Sequence, residues 1–301
     1  MIRPVNFRMN EQTAVNNYFQ EDIDVKNSTI NSKAQQEFDA FVKVLRSKGV
    51  NVIVIEDTKE PDTPDSIFPN NWISFHANGT VGLYPMFAEN RRNERREDIL
   101  DILEQNGLLI ENVVDYTSAE EEGIFLEATG SMALDRVNKK AYCALSKRAD
   151  EDLFIEFCED FEYSPVIFTA NQSVDGKRMP IYHTNVMMCL ATNFSVICLD
   201  TIDDKKERKN VIDHLKQDGK EIIKITEQQM HHFAGNMLQV LGSDDKKYLV
   251  MSSSAYHSLT PEQIEAIEKY CEIIHSSLET IETCGGGSAR CMMAEVFLPH
   301  S

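Results

Sequence analysis

Apolar positions along the chain recur in short β-branched runs rather than in long helical stripes, and runs of this length and composition predict strands. They fall at Val50 to Ile55, Thr80 to Leu83, Ile124 to Leu126, Ser131 to Leu134, Ala141 to Leu145, Val186 to Leu190, Ser195 to Leu199, Glu221 to Ile225, Met237 to Leu241, Tyr248 to Ser252 and Met292 to Phe297. Helical spacing between them predicts helices over about Asn31 to Lys48, Arg92 to Asn106, Ala149 to Phe157, Asp203 to Asp218 and Pro261 to Ser276. Thr260-Pro261-Glu262 is a helix start, a capping hydroxyl followed by proline in the first turn. With roughly two strands to each helix, neither an alternating βα barrel nor an all-β sandwich suits the pattern. A ring of small β-rich modules, each backed by one helix, suits it better, although no sequence repeat marks such a ring.

Composition narrows the picture. The chain has 301 residues, 42% of them hydrophobic and 26% charged, enough to bury a substantial core. No Pro-, Gly- or Ser-rich linker divides it, so residues 1–301 read as a single catalytic domain. A formal net charge of -19 disfavours nucleic acid and anionic membrane as partners, because both repel an acidic surface. The arginines at 91, 92, 95 and 96 share their run with Glu89, Glu94, Glu97 and Asp98, the pattern of a solvated helix face. Seven cysteines without a close CxxC pair argue against a disulfide framework and against a zinc site. The N-terminal residues lack the apolar core of a secretion signal and no apolar run is long enough to span a bilayer, so a cytoplasmic location is expected.

Polar residues gather beside the strand-like runs in four separated segments: Pro64 to Asn71, Leu126 to Gly130, His183 to Asn185, and Gly285 to Cys291. In the last, a thiol follows a glycine-rich loop. Glycines let backbone approach a ligand and leave N–H groups to stabilise developing negative charge, and Arg290 adjoins the sulfur. Cys291 is therefore a candidate nucleophile, or else a buried strand cysteine like Cys143, Cys189 and Cys198. His183, at the head of an apolar run, suits proton transfer from a rigid element, but His76, His214, His231, His232, His257, His275 and His300 compete, and spacing does not choose among them. Glu127 sits among Phe125, Leu126 and Ala128, where an unpaired carboxylate is costly, so it needs an ion-pair partner or a catalytic purpose.

These segments together carry a resemblance to the guanidine-modifying enzyme superfamily, which includes arginine deiminases, dimethylarginine dimethylaminohydrolases, succinylarginine dihydrolases and amidinotransferases. Within it the chain most resembles the bacterial citrulline-utilisation hydrolases. The similarity runs from Arg3-Pro4-Val5-Asn6-Phe7 through Asp65 to Trp72, Asn90 to Arg96, Leu126-Glu127, Ser146-Lys147-Arg148, His183-Thr184-Asn185 and Ala234 to Leu238 to the terminal Cys291 motif. It implies a pseudo-fivefold α/β propeller with Cys291 as nucleophile, His183 as general acid and base, and Glu127 as its carboxylate partner. It also implies that Arg148 and Arg91, or Arg92 in place of Arg91, grip the substrate α-carboxylate, a task for which a planar guanidinium fork is suited.

Arginine deiminases clamp the cationic guanidinium with two aspartates, where this chain has Asn71 and Asn185. An amide offers a donor and an acceptor without charge, which matches the neutral ureido group of citrulline. Asp65 remains as a carboxylate for substrate N–H groups. The expected function is thus cysteine-dependent hydrolysis of citrulline to ornithine, carbon dioxide and ammonia, with no cofactor or metal. The alternatives are a deiminase or dihydrolase of arginine or an acylated arginine, and a non-catalytic amino-acid-binding module. The expected partners are a small amino-acid substrate and, possible on such a scaffold, a second copy of the chain. Asn236 and the Asn16-Asn17 region are suspects for holding the substrate α-amino group.

Overall fold

In the computed structural model, which describes residues 1–301, Ile73–Phe75 pairs antiparallel with Thr80–Leu83, and Thr80–Leu83 pairs parallel with Asn112–Asp115. The same pattern returns three times. Met132–Asp135, Lys140–Leu145 and Ser164–Thr169 form one such sheet; Met188–Leu190, Phe194–Ile197 and Glu221–Lys224 another; Leu238–Leu241, Lys247–Ser252 and Glu272–Ser276 the last. A parallel pair cannot be closed by a hairpin and needs a crossover. The helices Asp98–Gln105, Glu151–Asp160, Lys205–Gln217 and Pro261–Glu268 supply those crossovers in turn. A reduced fifth unit joins Ile2–Arg3 in parallel to Ile55–Glu56 through the helix Asn27–Ser47.

Local chemistry explains where the helices begin. Asp150, Asp204 and Thr260 each accept backbone N–H bonds of the first turn, and Gln263 completes a capping box with Thr260. Each helix buries one apolar face. Leu153, Phe154, Phe157 and Cys158 point inward from Glu151–Asp160, as Phe38, Phe41, Val42 and Leu45 do from Asn27–Ser47. The Lys205–Gln217 helix also packs on the outer strand Ser164–Thr169 of the preceding unit, and Asn27–Ser47 packs on Glu272–Ser276. These helices thereby cover the neighbouring units. No helix is long and apolar enough to cross a membrane.

Several expectations need correction. The run Val50 to Ile55 joins a sheet only at its end, and Ile124 to Leu126 makes one isolated bridge, Leu126 to Ala149. Met292 to Phe297 is no strand. There the backbone turns, with Cys291 N–H donating to Ser288 O and Met293 N–H to Arg290 O, so Met292 and Met293 are buried without a ladder while Val296 and Phe297 stay exposed. The helix expected to reach Ser276 stops at Glu268, because Glu272–Ser276 finds a parallel partner in Tyr248–Ser252. Val186 is in a short helical turn, Thr184–Met187, that precedes the strand. Asn112–Asp115, Ser164–Thr169 and the hairpin Asn171–Val174 with Lys177–Pro180 were not foreseen, since polar residues and proline dilute their apolar signal.

Candidate active site

All eight residues singled out from the sequence, Asp65, Asn71, Arg91, Glu127, Arg148, His183, Asn185 and Cys291, are buried, none more than 3% exposed. Burying that many polar groups is costly unless they satisfy one another. They largely do, in two connected groups.

The first surrounds the sulfur. The helix Glu279–Gly285 ends in Gly286 at φ 61, which turns the chain toward Ser288 and Cys291. A side chain at Gly287 would lie 2.9 Å from the Phe68 ring, so glycine lets this loop lie flat on the aromatic face. The loop's carbonyls are tied down from outside. Tyr182 OH donates to Gly286 O at 2.5 Å, and Asn17 Nδ2 reaches the carbonyls of Gly285 and Gly286. Two amides face the sulfur, Asn236 Nδ2 at 3.2 Å and Asn185 Nδ2 at 3.5 Å. Asn236, a candidate from the sequence for the substrate amine, thus stands beside Sγ. Burial raises the other six cysteines, Cys158, Cys189 and Cys198 to about 12, which keeps them as thiols.

Two residues before Asn185, His183 Nε2 meets Glu127 Oε2 at 2.7 Å. His183 is the one histidine paired with a carboxylate, the distinction that spacing did not make. Glu127 Oε1 accepts the Phe87 N–H at 3.0 Å, and Arg148 Nη1 lies 3.5 Å from Oε2. Burial pushes the Glu127 carboxyl up, but Arg148, His183 and Arg91 together outweigh it and hold the group at about 2. Burial lowers His183 to about 4 against the opposing pull of Glu127. At neutral pH the pair is a carboxylate accepting the Nε2–H of a neutral imidazole, which leaves Nδ1 free. Ala128, immediately after Glu127, is held at φ 37, a conformation alanine rarely adopts.

The second group centres on Arg91. Its Nε and Nη2 each lie 2.9 Å from the carboxylate of Glu94, Nη2 also donates to Phe68 O, and Nη1 donates to Asn71 Oδ1 at 2.8 Å. Four of the five N–H groups are thus engaged within the protein. The expected grip of Arg91 on a substrate carboxylate is corrected accordingly. Arg92 is the more accessible of the pair, with Nε on Met86 O and 3.4 Å from Glu120. Arg148 donates to Thr13 O and, from Nε and Nη2, to Asn16 Oδ1, and it lies over the Tyr182 ring.

Asp65 joins this group through Oδ2, which accepts from Asn10 Nδ2 at 2.9 Å and Thr13 Oγ1 at 3.1 Å. Its other oxygen, Oδ1, is buried and has no partner. Burial raises the Asp65 carboxyl against the pull of Arg91, Asn10 and Thr13. An orphaned buried acceptor is costly, and an N–H donor from a ligand would satisfy it. The two groups meet at Gly130, where a Cβ would sit 2.4 Å from Asn71 Nδ2 and 2.9 Å from His183 Nδ1. Over both groups runs the segment from Asn10 to Gln20, which touches Asp65, Arg148 and the glycine loop. A cavity of about 550 Å³ opens beside Tyr18 and Phe19, lined by none of the eight residues.

Comparison with known proteins decides the family. The family model for N,N dimethylarginine dimethylhydrolase, eukaryotic, matches residues 3–298. The chain belongs to this family. It is thereby a member of the guanidine-modifying superfamily and a homologue of hydrolases that act on C–N bonds of guanidino compounds. No curated protein sequence matches significantly.

Among solved structures, the fold is similar to that of ArgZ, an arginine dihydrolase from the ornithine–ammonia cycle in cyanobacteria, with 15% identity and TM-score 0.74 over 100% of this chain and 40% of that one. Its N-terminal domain, solved bound to substrate, is 16% identical with TM-score 0.70, covering 99% of this chain and 98% of the domain. A dimethylarginine dimethylaminohydrolase is 16% identical with TM-score 0.60, over 87% of this chain and 90% of the other. The chain thus spans well under half of the full-length dihydrolase. Such identities establish a shared mixed α/β fold of small sheets and helices.

Proposed function

We propose that this chain is a cysteine-dependent hydrolase of the guanidino group of arginine or an arginine derivative. What supports the reading is that Cys291, the His183–Glu127 pair and the unpartnered Asp65 Oδ1 are all buried, with Cys291 against the amide of Asn185, two residues from His183. We take residues 1–301 to be a single catalytic unit, and the four repeated sheets with the reduced fifth to be the blades of a pseudo-fivefold propeller whose strand and helix ends frame the site.

In the proposed mechanism, the Cys291 thiol passes its proton to Nδ1 of the neutral His183, and the resulting thiolate attacks the planar carbon while Asp65 Oδ1 accepts a substrate N–H. Amide N–H groups of Asn185 and Asn236 stabilise the sulfur anion. His183 protonates the departing nitrogen, leaving a covalent adduct on sulfur. It then takes a proton from water, which attacks the adduct and returns the thiolate. Glu127 holds the imidazole in one tautomer and stabilises its cation. Arg148 and Arg92 are the guanidinium groups proposed for the substrate α-carboxylate. On arginine one round releases ammonia and leaves citrulline. A second round with water gives ornithine, carbon dioxide and another ammonia.

Citrulline as the primary substrate is the second reading, favoured by the amides of Asn71 and Asn185 where a carboxylate pair would suit a cation. The solved relatives described as arginine dihydrolases support arginine. Incubation with arginine, citrulline, dimethylarginine and succinylarginine, with ammonia and amino-acid products measured, tests both. Ornithine or citrulline from arginine supports the first reading. Turnover of citrulline alone supports the second, and turnover of none of the four ends both.

A further inference from the structure

We infer that Glu94 and Arg91 are positioning residues that lock the Asn71 amide with its N–H side toward His183, so that the site offers a donor to a ureido oxygen at that point. The inference rests on the citrulline reading of the proposed function and on its second round on arginine, and names the substrate group that this part of the site selects.

The orientation follows from donor and acceptor logic. A guanidinium has no acceptor, so the atom of Asn71 that lies 2.8 Å from Arg91 Nη1 must be the carbonyl oxygen. Reversing the amide would set two donors against each other in a buried place. Arg91 in turn does not move, because Glu94 holds it through two 2.9 Å contacts and Phe68 O through a third at 3.1 Å. Glu94 is itself buried, its side chain 1% exposed, and it pairs with no cation other than Arg91. With Oδ1 committed, Nδ2 of Asn71 gives one N–H to Asn70 Oδ1 at 3.1 Å and keeps the other. Nδ2 lies on the Gly130 side, at the point shared with His183 Nδ1, and no larger residue at 130 would leave that space open.

A ureido group carries a carbonyl oxygen that accepts this N–H and N–H groups that satisfy Asp65 Oδ1. A guanidinium carries donors alone, so at Asn71 it meets another donor. The chain Glu94–Arg91–Asn71 therefore raises the rate constant for a ureido substrate relative to a guanidinium one. Without the lock, Asn71 can turn its oxygen inward and the preference is lost.

The test is the ratio of kcat/KM for citrulline to that for arginine. Glu94→Gln, which keeps size and removes the charge holding Arg91, should lower this ratio at least tenfold, and Glu94→Asp should restore part of it. Asn71→Asp presents an acceptor in either orientation and should lower the ratio similarly, with Glu94→Gln adding nothing in that background. Parallel losses on both substrates, or a full Glu94→Gln effect retained beside Asn71→Asp, would overturn the inference. Should Glu94→Gln not fold, Asn71→Asp alone decides: an unchanged ratio overturns it. If the wild type turns over neither compound, the proposed function fails, and calorimetry on Cys291→Ser protein settles the inference separately. Tighter binding of citrulline than arginine, reversed by Asn71→Asp, supports it; equal binding, or none, overturns it.

Discussion

Asn236 Nδ2 stands 3.2 Å from Cys291 Sγ, and the Oδ1 of the same side chain accepts the Arg290 N–H at 3.0 Å. A backbone N–H only donates, so the amide has one permissible orientation, and it presents a donor to the sulfur. Nδ2 also donates to Asn185 O at 3.0 Å. One asparagine thus ties the segment of the proposed nucleophile to the segment that carries His183 and points an N–H donor at the sulfur.

Asn236→Asp replaces that donor with a negative charge beside the sulfur. The rate of alkylation of Cys291 by iodoacetamide at neutral pH should fall about tenfold or more, since the thiolate and not the thiol reacts. An unchanged rate would show that the contact has no bearing on reactivity.

Cys291→Ser should abolish turnover, by roughly a thousandfold or more, while circular dichroism and melting stay near wild type. Cys189→Ser and Cys198→Ser, at buried thiols raised to about 12, should leave no comparable catalytic defect in whatever protein folds. Retained activity in Cys291→Ser would remove the covalent mechanism.

Glu127→Gln takes away the charge that fixes His183 and balances Arg148. A loss of about 10² to 10⁴ in kcat is expected from impaired proton transfer. Leaving Arg148 without its nearest carboxylate should also cost about 3 kcal/mol of stability, the scale for breaking a buried ion pair. Steady-state kinetics together with urea unfolding separates the two effects.

Gly130→Ala inserts a methyl carbon 2.4 Å from Asn71 Nδ2 and 2.9 Å from the His183 ring. Something must shift, and both neighbours belong to the site. We expect kcat/KM to fall at least about tenfold with the protein still folded; a fully active Gly130→Ala protein would mean that the two side chains need not meet there.

His76 gives a stability signal away from the chemistry. It stacks on Phe161 at 4.0 Å and pairs with Ser74, and burial lowers it from 6.5 to about 3. Between those values the unfolded chain binds the proton and the folded chain does not, so stability conferred by neutral His76 is lost as pH falls from 6.5 toward 3. Relative to His76→Gln, the wild type should lose stability on acidification by up to about 1.4 kcal/mol per pH unit in that window. Denaturant titrations of both proteins at pH 7, 5.5 and 4.5, within reach of about 1.4 kcal/mol per unit, check it; parallel curves would contradict it.

The middle strands and helix starts were legible because their signals are local. Ala141 to Leu145 and Tyr248 to Met251 are apolar runs, and Thr260 caps its helix with its own neighbours. The outer strand Asn112–Asp115 was not legible, because its pairing with Thr80–Leu83 rather than its side chains makes it a strand. The same division holds for the site. The segments bearing Cys291, His183 and Glu127 stood out by residue type, whereas Asn236 was suspected for another role and Glu94 read as solvated surface.

By itself the sequence determined which residue types were available for chemistry, an acidic composition that disfavours polyanionic partners, and a rhythm of about two strands to each helix that predicts small modules. The tertiary structure alone decided which histidine faces a carboxylate, which arginine is spent on internal partners, and which way each amide points. Those outcomes depend on atoms brought within about 3 Å from positions far apart in the chain, and hydrogen-bond geometry at that range is set by packing, not by spacing.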